Sequence, residues 1–166
     1  MTAHAEGKTM GTRAQHSTIA ELIASHRSMK GALLPLLHAI QDKVGFIPSD
    51  AVTAIAQALN LSRAEVHGVV TYYHFFRSEP AAKHVVQVCR AEACQACGAD
   101  ELLALAEKTL GCKSHATSAS GAVTLEPVYC LGLCASSPAI QVNDKLHARM
   151  STEKLKTILM QLESTS

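Results

Sequence analysis

The chain has 166 residues, 48% of them hydrophobic, and a formal net charge of +1. That length suits one ordinary domain or a small domain with a helical appendage, and the apolar content is enough for a buried core. Interspersed, nearly balanced charge leaves no electrostatic footprint for nucleic acid and no polybasic membrane patch, and no apolar run approaches the roughly 18–20 residues of a membrane span.

Residues 1–16 are polar and rich in small side chains. They lack the apolar stretch of a secretory signal and read as a disordered N-terminus. Residues 17–79 read as a helical domain. Ile19, Leu22 and Ile23 recur at helical spacing. A second helix spans about 28–43, with Pro35 either kinking it or marking its true start, and Gly45 is placed to end it. Ser49 is the predicted cap of a third helix carrying Val52, Ile55 and Leu59. Ser62-Arg63-Ala64-Glu65 is a capping box opening a fourth. Tyr72, Tyr73, Phe75 and Phe76 hold four of the chain's six aromatic residues (three Tyr and three Phe). They read as a plug that closes the helical segment or packs on the next domain. His67 and His74 lie seven apart, a spacing that does not suit a metal pair on one helix.

Ser78-Glu79-Pro80 breaks the helix, so residues 80–166 form a second domain. Its expected order is a strand at 84–88, a cysteine loop, a helix ended by Gly111, and a loop over 113–121. A strand at 123–128 follows, then a second cysteine loop, a hairpin turning at Asn143-Asp144, and a final helix from Ser151. Pro127 inside a strand implies an edge position or an early end. The pattern is that of a small α/β sandwich, so the whole chain is α+β.

Six cysteines without a secretory signal argue for metal binding or redox work in a reducing compartment rather than for disulfides. Cys112 follows the Gly111 helix end and reads as a buried free thiol. Three ligand sets compete for the others. Cys89, Cys94, Cys130 and Cys134 place two cysteines in each of two loops that follow β-branched runs. Four thiolates of that kind suit a [2Fe–2S] cluster with two cysteines per iron. Cys89, Cys94 and Cys97 with one distal cysteine give the plant-type ferredoxin spacing. Cys94 and Cys97 with Cys130 and Cys134 could hold zinc. Gly132 is placed to let the second loop bring backbone amides close to sulfur.

The pairing Cys89-x4-Cys94 with Cys130-Leu131-Gly132-Leu133-Cys134-Ala135-Ser136-Ser137-Pro138 resembles the thioredoxin-like [2Fe–2S] ferredoxin family. So does the helical stretch Leu33-Leu34-Pro35-Leu36-Leu37, Gly45-Phe46-Ile47-Pro48 and Val69-Val70-Thr71-Tyr72-Tyr73-His74-Phe75-Phe76. The resemblance implies a thioredoxin-like second domain and a [2Fe–2S] cluster held by Cys89, Cys94, Cys130 and Cys134. The family includes the E subunit of NADH:quinone oxidoreductase, the diaphorase subunit of bidirectional hydrogenases and the gamma subunit of NAD-dependent formate dehydrogenase. The segment Cys89-Arg90-Ala91-Glu92-Ala93-Cys94-Gln95-Ala96 is most similar to the formate dehydrogenase gamma subunit.

The implied role is a cytoplasmic electron-transfer subunit without an active site of its own. Its expected partners are a flavin- and NAD-binding iron–sulfur subunit and a molybdenum-containing formate dehydrogenase catalytic subunit, with FMN, NAD and the molybdenum cofactor all in those partners. Neither nucleic acid nor direct membrane contact is expected. A zinc-stabilised interaction module and a dithiol oxidoreductase using Cys94-Gln95-Ala96-Cys97 are the alternatives of other classes. Cys97 stands where the family pattern has another residue type.

Overall fold

A computed structural model describes residues 12–164. The chain divides into two compact units between Pro80 and Ala81. Among the described residues no helix is long and apolar enough to cross a membrane.

The first unit holds four helices: α1 (Thr12–His26), α2 (Leu33–Val44), α3 (Ala51–Leu59) and α4 (Arg63–Tyr72). Helix α1 begins at Thr12, ahead of Ser17, so residues 12–16 are helical rather than part of a disordered N-terminus; residues 1–11 lie outside the described residues. Pro35 falls in the first turn of α2, where a missing N–H costs little, and the helix ends at Gly45 with φ 92°. Asp50 rather than Ser49 precedes α3, and no side chain caps it. The capping box forms as the sequence predicts, with the Ser62 hydroxyl accepting from the Glu65 N–H and Glu65 accepting from the Ser62 N–H.

Leu36, Leu37, Ile40, Ile55 and Val66 make the centre of this unit's core. Buried Gln41 ties the segment after α4 to it: its Nε2 donates to the Phe75 carbonyl at 2.6 Å and its Oε1 accepts from the Arg77 N–H at 2.7 Å. The aromatic cluster is split. Phe76 is buried in the core, whereas Tyr72, Tyr73 and Phe75 are exposed. His67 and His74 are exposed as well, and His74 lies beyond the end of α4.

The second unit is a five-stranded mixed sheet in the order β2-β3-β1-β4-β5. Its strands are β1 (His84–Cys89), β2 (Ala116–Thr117), β3 (Val123–Val128), β4 (Ile140–Val142) and β5 (Lys145–His147). Strands β1 and β3 are parallel, in a register that sets His84 opposite Val123 and Cys89 opposite Val128. The chain travels between them through α5 (Glu92–Ala96) and α6 (Ala99–Leu110), because a parallel pair needs a crossover. Val86, Val88, Leu125 and Ile140 of the sheet pack with Leu102, Leu103 and Ala106 of α6 and with Leu155 and Leu159 of α7 (Thr152–Ser164). Strand β2 begins only at Ala116, opposite Leu125, and runs antiparallel toward Thr124. Pro127 therefore sits past its end, where no neighbouring strand requires the N–H that proline lacks. Strands β4 and β5 form the hairpin, turning at Asn143, whose φ is 51°. The chain is α+β, with a helical unit followed by a thioredoxin-like unit.

Candidate metal centre

Parallel strands end at the same edge of a sheet. Cys89 is the last residue of β1 and faces Val128, the last residue of β3. The loops that follow must therefore leave side by side, and each carries a cysteine pair. After β1 the chain turns into α5, where Cys94 lies in the first turn. After β3 it runs through Cys130 to a short 3-10 turn, Cys134–Ser136. Main-chain bonds lock the two loops together. The Cys89 N–H donates to the Ala139 carbonyl at 3.1 Å, and the Arg90 N–H to the Val128 carbonyl at 2.7 Å.

The four sulfurs fall into two pairs. Cys130 and Cys134 are 3.7 Å apart, sulfur to sulfur, and both residues are exposed. Cys89 and Cys94 are each 2% exposed and pack with Ala99 and Ala139, rimmed by Ala91, Val128, Leu131 and Leu133. Cys134 lies within electrostatic reach of the other three, feeling Cys130 first and then Cys94 and Cys89.

Donors converge on these sulfurs. The Gly132 N–H reaches the Cys130 sulfur at 3.3 Å. The backbone N–H groups of Ala91 and Leu131 favour the Cys89 thiolate, and that of Ala139 favours the Cys94 thiolate. Leu131 belongs to the second loop and Cys89 to the first, so an amide of one loop serves a sulfur of the other. Gly132 adopts φ 76°, as the role read from the sequence requires. Cys130 itself has φ 134°, a conformation that side-chain-bearing residues rarely hold and that clusters at functional sites.

Gathering thiols in this way perturbs their acidity. Burial pushes the Cys89 thiol up, against the pull of the Ala91 N–H, and neighbouring Cys94 adds to the rise. Burial raises Cys94 as well, yet the Ser137 hydroxyl, the Cys89 thiol and the Ala139 N–H outweigh it and bring that thiol below its ordinary value. Cys134 is raised, chiefly by its hydrogen bond and charge interaction with Cys130. Four thiolates so close repel one another unless a cationic group sits among them. Few fixed charges compete nearby: Arg90 is spent on Asp100, at 2.8 Å, and Glu92 is exposed.

The two remaining cysteines stand apart. Cys97 is exposed at the turn between α5 and α6. Cys112 is half-buried after Gly111, its S–H directed at the Ala116 carbonyl 3.8 Å away, and burial raises its thiol. All six are free thiols. Of the Cys94-Gln95-Ala96-Cys97 pair only Cys97 is accessible, and Cys94, the first cysteine of the motif, is buried. A single zinc requires three or four donors around one point. Among the described residues no three His, Cys, Asp or Glu side chains form such a group, the four paired cysteines included; those cysteines stand as two pairs, the donor number that two irons take.

Sequence reasoning missed the Ser137 hydroxyl, 3.5 Å from the Cys94 sulfur. The residue stood within the Cys134-to-Pro138 segment, but nothing in the spacing shows that the chain folds back onto Cys94.

A sheet with this topology, carrying paired cysteines on the two loops beyond its parallel strands, defines a thioredoxin-like metal-binding module. The chain belongs to the thioredoxin-like [2Fe-2S] ferredoxin family, whose model matches residues 19–163. It is similar to the E subunit, copy 2, of the NADH-quinone oxidoreductase of Rhizobium meliloti (strain 1021), 33% identical over 136 residues, covering 82% of this chain and 81% of that protein. It is also similar to the E subunit of the NADH-quinone oxidoreductase of Aquifex aeolicus (strain VF5), 36% identical over 128 residues, covering 77% and 80%. Among solved structures, it shares its fold with a chain of NAD+-reducing [NiFe]-hydrogenase in the H2-reduced state. The TM-score is 0.64 at 18% identity, over 81% of this chain and 22% of the other. The cofactor of the family is a [2Fe–2S] cluster, and the donor set just described fits it.

Proposed function

We propose that this chain is an electron-transfer subunit of an oxidoreductase complex, with its [2Fe–2S] cluster held by Cys89 and Cys94 from one loop and Cys130 and Cys134 from the other. The observation that carries this reading is the pairing of two cysteine loops at the common end of β1 and β3. When bound, such a cluster takes up and returns one electron at a time. The protein's own part is to hold the four thiolates, to offset their charge with N–H donors, and to keep water from the inner pair. The exposed Cys130–Cys134 loop is the face that comes within reach of a redox partner. That partner is a flavin- and NAD(H)-binding subunit, which supplies the two-electron hydride chemistry.

The named relatives make a complex of the NADH-quinone oxidoreductase or NAD-reducing hydrogenase type the first reading of the parent assembly. A second reading is an NAD-dependent formate dehydrogenase, with a molybdenum-containing catalytic subunit as a further partner. It is favoured by the segment Cys89-Arg90-Ala91-Glu92-Ala93-Cys94-Gln95-Ala96. In either assembly the chain works on the cytoplasmic side, without catalytic residues of its own. Affinity purification from the native host, followed by NAD-linked assays with formate, hydrogen and quinone, separates the readings. Formate-driven NAD reduction establishes the second, quinone- or hydrogen-linked activity the first. A colourless chain holding one zinc overturns both.

A further inference from the structure

Ser137 stands where the two cysteine pairs meet. Its hydroxyl is 3.5 Å from the Cys94 sulfur and 2.9 Å from the Cys134 carbonyl oxygen, to which it can donate. The residue is half-buried at the end of the 3-10 turn. Between a thiol and a hydroxyl either group can donate, but a thiolate can only accept. Once Cys94 is a metal-bound thiolate, the one proton available on this line belongs to Ser137. An anionic sulfur is also a stronger acceptor than a neutral carbonyl, and rotation about the Cβ–Oγ bond is enough to redirect the proton.

We propose that Ser137 is a positioning residue whose hydroxyl donates to the Cys94 thiolate and so holds up the reduction potential of the cluster. This rests on the reading above, in which Cys94 is a ligand. Reduction adds one negative charge that the sulfurs share. A donor aimed at one of those sulfurs stabilises the reduced form more than the oxidised form. One electron enters, no covalent bond forms or breaks, and Ser137 keeps its proton.

The test is a redox titration of the cluster-loaded chain, followed by EPR, with Ser137 replaced by Ala, Val and Thr. Ser137→Ala and Ser137→Val lower the equilibrium constant for reduction about tenfold, equivalent to about 59 mV for a one-electron couple. Ser137→Thr, which keeps the hydroxyl in the shape of valine, stays with the unsubstituted protein. Iron content remains the same in all four proteins. An unchanged potential in the Ala and Val variants overturns the role of Ser137, as does a Thr variant that falls with Val. If the Ala variant does not fold, the Thr and Val pair decides alone. Loss of the ligand reading looks different: iron then stays bound when Cys94 itself is replaced.

Discussion

The loop after β1 and the loop after β3 leave the same end of one sheet and carry two cysteines each, yet they are built from different materials. In the first, Cys89 and Cys94 are each 2% exposed and take their place from a strand end and a short helix. In the second, Cys130 and Cys134 are exposed and take theirs from backbone bends: φ 134° at Cys130 and φ 76° at Gly132. The first loop is held by packing. The second sets those dihedral angles within a frame of main-chain bonds, from the Ser136 N–H to the Leu133 carbonyl and from the Arg149 N–H to the Ser136 carbonyl. A cluster held as proposed would join a buried pair of thiolates to an exposed pair.

That contrast can be broken in several ways. The largest expected effect is in thiol reactivity. In the metal-free chain, iodoacetamide should modify Cys97, Cys130 and Cys134 at least about tenfold faster than Cys89 and Cys94, because attack needs an accessible sulfur. Peptide mapping over time measures this, and equal rates would show that the inner loop is no better formed than the outer.

Gly132→Val comes next. Nothing lies within 4 Å of a Cβ added at this position, so the cost is the left-handed backbone alone, about 1–2 kcal/mol. It should appear as weaker cluster retention, with Gly132→Asn milder because asparagine tolerates that conformation. In the metal-free protein, Cys89→Ala should lower stability in urea by about 1 kcal/mol, as other small deletions from a packed site do. Cys130→Ala should leave it nearly unchanged.

The smallest effect lies outside both loops. Glu107 is held down to about 2 by the Lys113 ammonium, then by the Ser114 N–H and hydroxyl. A carboxylate depressed in the folded state contributes stability that is full above its ordinary value near 4.5 and fades as pH falls through about 2. Glu107→Gln should therefore be less stable than the parent at neutral pH and converge with it in acid. A constant difference across that range would assign the effect to packing.

Much of this arrangement was legible in the sequence because it rests on local pattern. The β-branched run before Cys89, the Asn143-Asp144 turn and the Ser62–Glu65 capping box each state their structure within a few residues. Gly132 could be read as an amide-presenting turn for the same reason. What stayed hidden was either too short or too distant. Helix α5 has five residues and no apolar period, and β2 has two residues within a polar stretch expected to be loop. The parallel register that sets Cys89 beside Val128 is a property of the crossover and appears in neither strand alone. Ser137 and Cys94 are 43 residues apart, and only the fold brings them together. The aromatic plug was half legible: hydrophobicity marked the cluster, but not that Phe76 alone would turn inward.

The central claim is that Cys89, Cys94, Cys130 and Cys134 hold the cluster and Cys97 does not. Its most direct test is the iron bound per chain, measured for the parent and for five single alanine substitutions under identical reconstitution. The parent and Cys97→Ala should each carry about two irons, and the other four variants close to none. A Cys97→Ala protein that loses its iron, or any of the four others that keeps it, would contradict the assignment.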